Sequence, residues 1–399
     1  MATKIGVAYS NRTNSAAAAI EATSIALANA GITKADFALI FCSGKHDPHE
    51  FLKSVQSLLG DIPVVGGSSI GIITKDFIAY EGYEVGVTVF SSDTISFKVF
   101  AQPGLNVDER KAGEQLGKQI EATAGDLDQA LLVFYDSSKQ IVPPMLNFAT
   151  WLFEGLEKYL PSHITCAGGG LLADMLLSTT HQFYNNEVLT KSVVAVLISG
   201  KCNMNTTIMH GCRPASAYLT ITKAEGPVIA EIENRPALEV IDELLGDSHG
   251  IKWKDFSLFV TLGLNRGDKF APFNEKDYAN RLVLAVDEAS KSLIMFEPDL
   301  KTGDEIQLMR RSMNLDYIQT GVNSMKAKLN GTTPVFYFYI NCAGRAKPYA
   351  GGVFEDAEEV QKGTAGVPMM GFYSGVEVAK VKDKLQPLDW TGVLCIISE

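Results

Sequence analysis

Residues 37–44 have the sequence FALIFCSG, an unbroken apolar run that ends in small and polar residues. A continuous apolar run of this length is typical of a β-strand that is buried on both faces of a sheet. After a helical stretch come residues 63–71, PVVGGSSIG, and then a further apolar run that ends at Ser91 and Ser92. This order of elements defines a strand–helix–strand–strand unit.

The same unit recurs further along the chain. Residues 335–345 (VFYFYINCAGR) and 368–375 (PMMGFYSG) repeat it near the C-terminus. A weaker copy combines residues 131–138 (LLVFYDSS) with 164–170 (ITCAGGG), and a degenerate fourth is predicted to start at Phe256. Because the copies are irregularly spaced, they favour a duplicated globular domain over a solenoid, which needs a fixed period.

Helices are predicted between these strands. Asp47 is expected to cap a helix over residues 48–60, where a glutamate three positions after the cap completes a capping box. Apolar residues at helical spacing predict helices over 144–160 and 314–330. Asn234 is expected to cap a further helix.

Composition limits the classes of function. The chain has 399 residues, 46 of them acidic and 35 basic, and its net charge of −11 argues against a non-specific grip on nucleic acid. No apolar stretch reaches ~18 residues, and the apolar run at the N-terminus is too short for a signal peptide. None of the six cysteines forms a C-x-x-C pair, which suits reduced thiols. We therefore expect a soluble, cytoplasmic protein with no membrane or nucleic-acid partner.

These observations predict an α/β fold made of two related halves, residues 1–200 and 201–399, with residues 201–235 as the joining segment. Each half is expected to contain mixed sheets covered by helices. Because ligands favour the carboxyl ends of strands in such sheets, the strand-end loops of both halves are expected to converge on one cleft.

The small residues of these loops are candidates for binding a ligand. Glycine lets the backbone approach a ligand closely, and hydroxyl groups can donate to its polar atoms. Arg345, in a loop of small residues, is expected to hold a carboxylate, and Glu377 an amino group. The predicted ligand-binding residues are Cys42, Ser43, Gly67, Ser68, Ser69, Cys166, Asn341, Cys342, Gly344, Arg345, Ser374 and Glu377.

An enzyme is one alternative to a protein that only binds a ligand. Residues 67–71, GSSIG, match the G-x-S-x-G elbow of hydrolases, but strand-like residues follow where the elbow needs a helix. Cys42 and Cys342 occupy equivalent places in two copies and could act as nucleophiles if a neighbour lowered the pKa of the thiol. Free cysteine is usually a small buried residue, and this is the interpretation that we favour for both positions. No catalytic residue and no metal site is predicted.

Several motifs resemble the FIST family of sensory domains. Residues 66–71 (GGSSIG) resemble the signature of its N-terminal domain. The segment that joins its two domains is resembled by residues 211–214 (GCRP) and 234–237 (NRPA). Its C-terminal domain is resembled by residues 341–345 (NCAGR) and 371–377 (GFYSGVE). The resemblance covers nearly the whole chain. It implies a sensor of small ligands, with amino acids or small organic acids as the expected class, which signals through a separate output protein.

Some members of the family bind haem and sense nitric oxide. In this chain His210, directly before Gly211, is the candidate haem ligand that the resemblance suggests. A haem-binding gas sensor therefore remains an alternative to the sensor of small acids.

Overall fold

The computed structural model describes residues 3–80, 82–125, 127–141, 145–246, 253, 260–312, 314–350 and 355–399. Three six-stranded sheets and one antiparallel sheet form the body of the molecule, and helices cover the six-stranded sheets. The predicted class, α/β with mixed sheets covered by helices, is confirmed. Within these ranges, no helix has the length and apolar character needed to cross a bilayer.

The first unit of the fold spans residues 4–91. Its elements are β1 (Lys4–Ser10), α1 (Ser15–Ala30), β2 (Phe37–Cys42), α2 (Pro48–Leu59), β3 (Val64–Ser68), β4 (Gly71–Thr74), β5 (Ile78–Tyr80) and β6 (Val85–Ser91). β2 is parallel to β3 and antiparallel to β6, which is antiparallel to β1. Asp47 caps α2 as predicted, since its Oδ1 accepts a hydrogen bond from the Glu50 amide at 2.9 Å.

The second unit spans residues 95–200 and repeats this arrangement. Its elements are β7 (Ile95–Pro103), α3 (Glu109–Glu121), β8 (Asp128–Asp136), β9 (Ser138–Gln140), β10 (Met145–Leu146), α4 (Ala149–Glu157), β11 (Thr165–Leu171), β12 (Gln182–Tyr184), β13 (Glu187–Leu189) and β14 (Ser192–Gly200). β8 is parallel to β11 and antiparallel to β14, which is antiparallel to β7. The helix predicted over 144–160 is the shorter α4, because residues 145–146 pair as a strand.

The third unit begins with β15 (Asn203–Met209) and is then interrupted by an insertion over residues 212–311. The insertion consists of β16 (Cys212–Pro214), β17 (Leu219–Glu225), β18 (Val228–Ile232), β19 (Arg235–Pro236), α5 (Ala237–Leu245), β20 (Thr261–Asn265), β21 (Tyr278–Asp287), β22 (Ser292–Met295) and β23 (Glu305–Arg311). The predicted cap at Asn234 is wrong. Asn234 has a left-handed backbone (φ 60°) in the turn between β18 and β19, and α5 starts after Pro236 with no side-chain cap.

The third unit resumes after the insertion. Its remaining elements are α6 (Asp316–Lys326), β24 (Pro334–Cys342), α7 (Lys347–Ala350), α8 (Asp356–Gly363), β25 (Met369–Ser374), β26 (Glu377–Val381), β27 (Lys384–Leu388) and β28 (Gly392–Ser398). β24 is parallel to β25 and antiparallel to β28, which is antiparallel to β15. The three units therefore share one connectivity, and α6 is the core of the helix predicted over 314–330.

Each unit gives a β-hairpin to a neighbouring unit. The hairpin β4–β5 of the first unit extends the sheet of the third at β25. The hairpin β12–β13 of the second unit extends the first at β3, and β26–β27 of the third extends the second at β11. The exchange closes a ring of three sheets, so no sheet is complete without a neighbouring unit.

Phenylalanines from all three units meet at the centre of the ring. The ring of Phe41 lies 5.4 Å from that of Phe134 and 4.7 Å from that of Phe372, and Phe134 lies 5.8 Å from Phe338. Because side chains alternate along a strand, neighbouring residues face outward and pack under the helices. Close aromatic pairs of this kind add about 0.5–1.5 kcal/mol each beyond their buried area.

The predicted halves, 1–200 and 201–399, divide this ring unequally. The first contains two units, and the second contains one unit with its insertion. Two of the sheets combine strands from both sides of residue 200. The degenerate fourth copy predicted at Phe256 begins outside the described residues, and β20, which follows it, pairs only in antiparallel fashion.

Candidate functional site

A cavity of about 720 Å³ lies where the second unit, the third unit and the insertion meet. This volume lies within the range of ordinary small-molecule pockets. Its walls are mainly apolar. The second unit contributes Phe148, Leu172 and Met175, the insertion contributes Leu282, Ile294 and Phe296, and the third unit contributes Ala343, Val376 and Trp390.

One end of the cavity is polar, and we call it the polar corner; it consists of Tyr135, Ser137 and Asn147. All three line the cavity and are no more than 3% exposed. Tyr135 Oη, Ser137 Oγ and Asn147 Oδ1 form no hydrogen bond of normal geometry with the residues that the structure describes, although the Tyr135 and Ser137 hydroxyls lie near enough for Ser137 to influence the pKa of the phenol. Buried polar atoms are nearly always paired, so three open ones in one corner mark a place where a ligand can bind.

Local hydrogen bonds hold this corner in place. The end of β8 carries Tyr135, and the Ser137 amide donates to the Leu171 carbonyl at 3.2 Å. Asn147 donates its backbone amide to the Ser137 carbonyl at 2.9 Å and its side-chain Nδ2 to the Asp136 carbonyl at 2.8 Å. Because the bond from Nδ2 fixes the orientation of the amide, the unpartnered atom of Asn147 is its Oδ1, which can only accept.

Two glycines leave space for the Ser137 hydroxyl. A Cβ atom on Gly170 in β11 would lie 2.0 Å from Ser137 Oγ, and one on Gly375 would lie 2.7 Å from the same atom. Gly375 belongs to the loop that leads into the exchanged hairpin of the third unit, and its amide donates to the Gly170 carbonyl at 2.9 Å. The hairpin exchange therefore shapes the polar corner.

Three buried carboxyl groups surround the polar end. Asp389 lines the cavity and accepts a hydrogen bond from the Leu282 amide at 2.9 Å. Glu377 accepts from Ser374 Oγ at 2.6 Å, and Glu297 accepts from the Ala149 and Thr150 amides at 3.1 and 2.8 Å, at the start of α4.

Burial disfavours the ionised form of each of these carboxyls. It raises the pKa of Asp389 to about 6 and that of Glu297 to about 8, and it raises the pKa of Glu377 well above its usual value. Burial and these carboxyls also raise the pKa of the Tyr135 phenol well above its usual range, which the Ser137 hydroxyl partly opposes. The ionisable groups described here, around the polar corner, are therefore either uncharged or negatively charged.

Arg345 cannot hold a ligand carboxylate as predicted. It is 5% exposed, and its Nε and Nη2 donate to Asp356 Oδ2 at 2.9 and 2.6 Å. Nη1 donates to the carbonyls of His210 and Trp390, and Nη2 also to Tyr317 Oη. All five guanidinium N–H groups are thus used within the protein. The role of Arg345 is structural, since it fixes the backbone of Trp390 in the cavity wall.

The geometry of His210 does not suit haem ligation. Its Nε2 lies 3.0 Å from the Glu275 carbonyl, and its Nδ1 accepts from the Cys212 amide at 2.9 Å, so both ring nitrogens have partners. Burial also lowers the pKa of the imidazole. Among the described residues that line the cavity none is a histidine, and the described part of the chain has no cluster of three or more metal-ligating side chains.

The candidate cysteines are buried thiols. Burial raises the pKa of Cys166 to about 12 and the pKa values of Cys42 and Cys342 still further. A thiol in such surroundings stays protonated and is a poor nucleophile. Cys342 lines the cavity, as does Gly344, so these two predicted residues lie where a ligand could contact them.

The glycine–serine segment 66–71 does not line the cavity. A Cβ atom on Gly66 would lie 1.7 Å from the Ile40 carbonyl oxygen, so this glycine allows two strands to approach. Ser68 Oγ accepts from the His181 amide at 3.1 Å, and Ser69 Oγ donates to the Gly71 carbonyl at 2.6 Å. Segment 66–71 is therefore not part of the cavity wall that includes residues 342–344, and its predicted meeting with 341–345 around one ligand gains no support from this cavity. The residues after Ser69 continue into β4, which also excludes the hydrolase elbow.

The other predicted site residues are buried beside the cavity or away from it. Asn341 Nδ2 donates to Asp356 Oδ1 at 2.9 Å, and Ser374 lies between Asn341 and Glu377. Ser43 and Gly67 belong to the first unit and are not part of the cavity wall.

Most of the residues that form the cavity are not among those predicted from the sequence. They include Tyr135, Ser137, Asn147, Asp389 and Trp390. A signal for Ser137 was present, because residues 136–138 follow the central strand of the second unit just as Ser43 and Ala343 follow the central strands of the others. Trp390 carries a different signal, visible only in the structure: a left-handed backbone (φ 52°), which is unusual for a bulky residue.

Comparison with known proteins yields relatives without known function. The chain is 25% identical over 245 residues to the uncharacterised protein Rv0628c of Mycobacterium tuberculosis, a match that covers 60% of this chain and 63% of that protein. It is 24% identical over 308 residues to the uncharacterised protein MJ1623 of Methanocaldococcus jannaschii, covering 74% of this chain and 57% of that protein. The chain thus spans less than two thirds of the length of these relatives.

Solved structures show only weak likeness. A chorismatase matches over the whole of both chains with a TM-score of 0.33 and 7% identity. A cyanuric acid hydrolase from A. caulinodans matches over 50% of this chain and 71% of its own, with a TM-score of 0.27 and 12% identity. Similarity at this level says nothing about chemistry.

The match to a protein family is far more extensive. The FIST N domain matches residues 36–235, and the FIST C domain matches residues 237–380. Together they cover nearly the whole chain and meet at the start of α5. The chain belongs to the FIST family.

Proposed function

We propose that this protein is a sensor that binds one small molecule in the cavity between the second unit, the third unit and the insertion. FIST domains are regarded as sensory domains at the level of the family. The relatives of this chain named above are uncharacterised. The observation that carries the proposal is the polar corner: three buried polar atoms without partners among the described residues, at the end of an otherwise apolar cavity.

The wall composition points to a ligand with an apolar body. Phe148, Leu172, Ile294 and Phe296 offer apolar and aromatic surface, and burying such surface contributes roughly 25 cal/mol per Å². The described lining residues include no lysine, arginine or histidine. A free organic acid would therefore lack a counter-charge, which counts against the ligand class expected from the family resemblance.

The position of the cavity supports a signalling role. Its walls come from two units of the ring and from the insertion, so a ligand that fills it contacts all three parts. Such a ligand would favour the arrangement in which the insertion is held against the ring. We propose that a separate protein partner in the cytoplasm recognises this arrangement.

Trp390 provides a direct test, because its indole lines the cavity. In the double variant Trp151→Phe/Trp253→Phe, Trp390 is the remaining tryptophan of the chain. Apolar compounds that bind should change its fluorescence in a saturable way and raise Tm, since a ligand that binds only the native state stabilises it.

A variant that fills the cavity separates this binding from non-specific effects. Ile294→Phe adds bulk inside the cavity, and Leu58→Phe adds similar bulk on the exposed face of α2. We expect Ile294→Phe to lose the rise in Tm and Leu58→Phe to keep it. Equal stabilisation of both variants would place the binding site elsewhere and refute the proposed function.

A further inference from the structure

We infer that the ligand carries a non-anionic N–H donor group, an amine or an amide, on its apolar body, and that this group binds Asn147 Oδ1 in the cavity that the Asp389 carboxyl also lines. The inference rests on the proposed function, since it assigns the chemistry of the ligand in the same cavity. It follows from which atoms of the polar corner can donate, which can only accept, and which charges lie around them.

The polar corner contains one atom that can only accept a hydrogen bond. Asn147 Oδ1 is solely an acceptor, and its own Nδ2 is held by the Asp136 carbonyl at 2.8 Å, so the side chain cannot turn over without losing that bond. A ligand group opposite Oδ1 must therefore donate. The hydroxyls of Tyr135 and Ser137 can donate or accept, and they adapt to whatever else the ligand presents.

Asp389 is the one acidic side chain among the described residues that line the cavity, and its pKa of about 6 leaves it largely ionised at neutral pH. A ligand carboxylate placed here would add a further negative charge in a medium of low dielectric constant. A neutral or positive head group avoids this repulsion.

Three buried arginines lie near the cavity but outside its wall. Arg281, fully buried, donates Nε and Nη2 to the two oxygens of Asp299 at 2.6 and 2.5 Å, and Nη1 to the carbonyls of Asn280 and Pro387. Arg345 is saturated by Asp356 and its carbonyl partners, as described above. The guanidinium of Arg311 stacks on the Trp390 ring, 3.2 Å from its centroid, and donates to Thr261 Oγ1. None of these three side chains lines the cavity.

Four probes with one phenylalkyl body test the inference in the intact protein: 2-phenylethylamine, 3-phenylpropionamide, 3-phenylpropionate and ethylbenzene. Binding is measured by Trp390 fluorescence and by calorimetry at constant pH and ionic strength. We expect the amine and the amide to bind at least about tenfold more tightly than the carboxylate and than ethylbenzene, the gain expected from one hydrogen bond to a buried partner.

The outcomes separate the inference from the proposed function. If the carboxylate binds as tightly as the amine, or ethylbenzene as tightly as the amide, the inference is overturned while the cavity remains a binding site. If none of the four probes binds, including ethylbenzene, both the inference and the proposed function are overturned.

A variant locates the head group within the cavity. Asp389→Asn removes the carboxyl charge but keeps an oxygen that can accept from the Leu282 amide. It should weaken the binding of 2-phenylethylamine by about tenfold and leave that of 3-phenylpropionamide within about twofold. The matched control Asp61→Asn, at an exposed position, should change neither. Equal losses for the amine and the amide would show that Asp389 does not sense the charge of the head group and would overturn its assigned place.

Discussion

Gly375 lies directly against the hydroxyl group of Ser137, although 238 positions separate them: a Cβ atom on Gly375 would come within 2.7 Å of Ser137 Oγ. The contact joins the exchanged hairpin of the third unit to the strand end of the second. It means that the polar corner exists only when the hairpin exchange is complete, so the fold of the ring and the shape of the site are linked.

Gly375→Ala tests this link. The added methyl should push Ser137 Oγ out of position and lower the free energy of unfolding by about 1–3 kcal/mol, as overpacking of a core usually does. The double variant Gly375→Ala/Ser137→Ala should recover part of that loss, because the clashing atom is gone. Chemical denaturation of the four proteins of this cycle measures the coupling, and strictly additive effects would contradict the contact.

Ser137→Ala alone should separate stability from binding. In the unliganded protein the Ser137 hydroxyl has no protein partner among the described residues, so its removal should change the free energy of unfolding by less than about 1 kcal/mol. Ligand binding in the cavity should weaken.

Ser69→Ala is the matched comparison, since the Ser69 hydroxyl donates to the Gly71 carbonyl at 2.6 Å. It should destabilise the protein by about 1 kcal/mol and leave ligand affinity unchanged. A large loss of stability in Ser137→Ala would show that its hydroxyl is paired in the native state.

The repeated strands were predictable because each is locally encoded. The apolar runs at 37–41, 131–135 and 335–340 form the central strands of the three units. In the second and third units, the small residues that follow or end these strands line the cavity, at Ser137 and at Cys342. The pattern of one strand thus contains enough information to find its buried faces and its end.

The partners of these strand ends were not predictable in the same way. Hairpin exchange depends on pairing between distant segments, such as β11 with β26, and no local pattern specifies it. The sequence predicts Gly67 as a ligand contact, but in the structure Gly66 and Gly67 both allow strands to pack closely. Arg345 pairs with Asp356, a partner that no local sequence pattern indicates, so an arginine predicted to face a ligand proved to be buried in an ion pair.

Arg345→Lys should therefore act on stability. Lysine keeps the positive charge but cannot reproduce five N–H groups shared among Asp356, Tyr317 and two carbonyls. Because a buried ion pair that loses its geometry leaves charge uncompensated, we expect a loss of about 3–5 kcal/mol in the free energy of unfolding.

A matched variant of an exposed ion pair, Arg235→Lys beside Glu243, should unfold at the same denaturant concentration as the parent protein. If Arg345→Lys unfolds like the parent but loses affinity for a carboxylate probe, the structural role assigned to Arg345 is wrong.

Glu297 should make the stability of the protein depend on pH. Its carboxyl caps α4 from the neighbouring insertion, and burial together with Asp389 raises its pKa to about 8 from the ordinary 4.5. The folded protein therefore keeps a proton on Glu297 at pH values at which the unfolded chain has lost it. The contribution of this group is fully present below about pH 4.5 and is lost as the pH rises towards 8, because the unfolded state then binds fewer protons than the native state.

Glu297→Gln isolates that contribution. At pH 5 the Glu297→Gln variant should have a free energy of unfolding about 1 kcal/mol lower than that of the parent. The glutamine NH2 group cannot accept a hydrogen bond from one of the two amides at the start of α4. Between the two pKa values the parent protein must take up a proton on Glu297 when it folds and the variant need not, so the variant should gain stability relative to the parent by about 1.4 kcal/mol for each pH unit crossed. Urea denaturation at pH 5, 7 and 9 measures the difference, with the exposed Glu187→Gln as control. Parent and Glu297→Gln curves that stay parallel from pH 5 to 9 would show that Glu297 is ionised in the native protein.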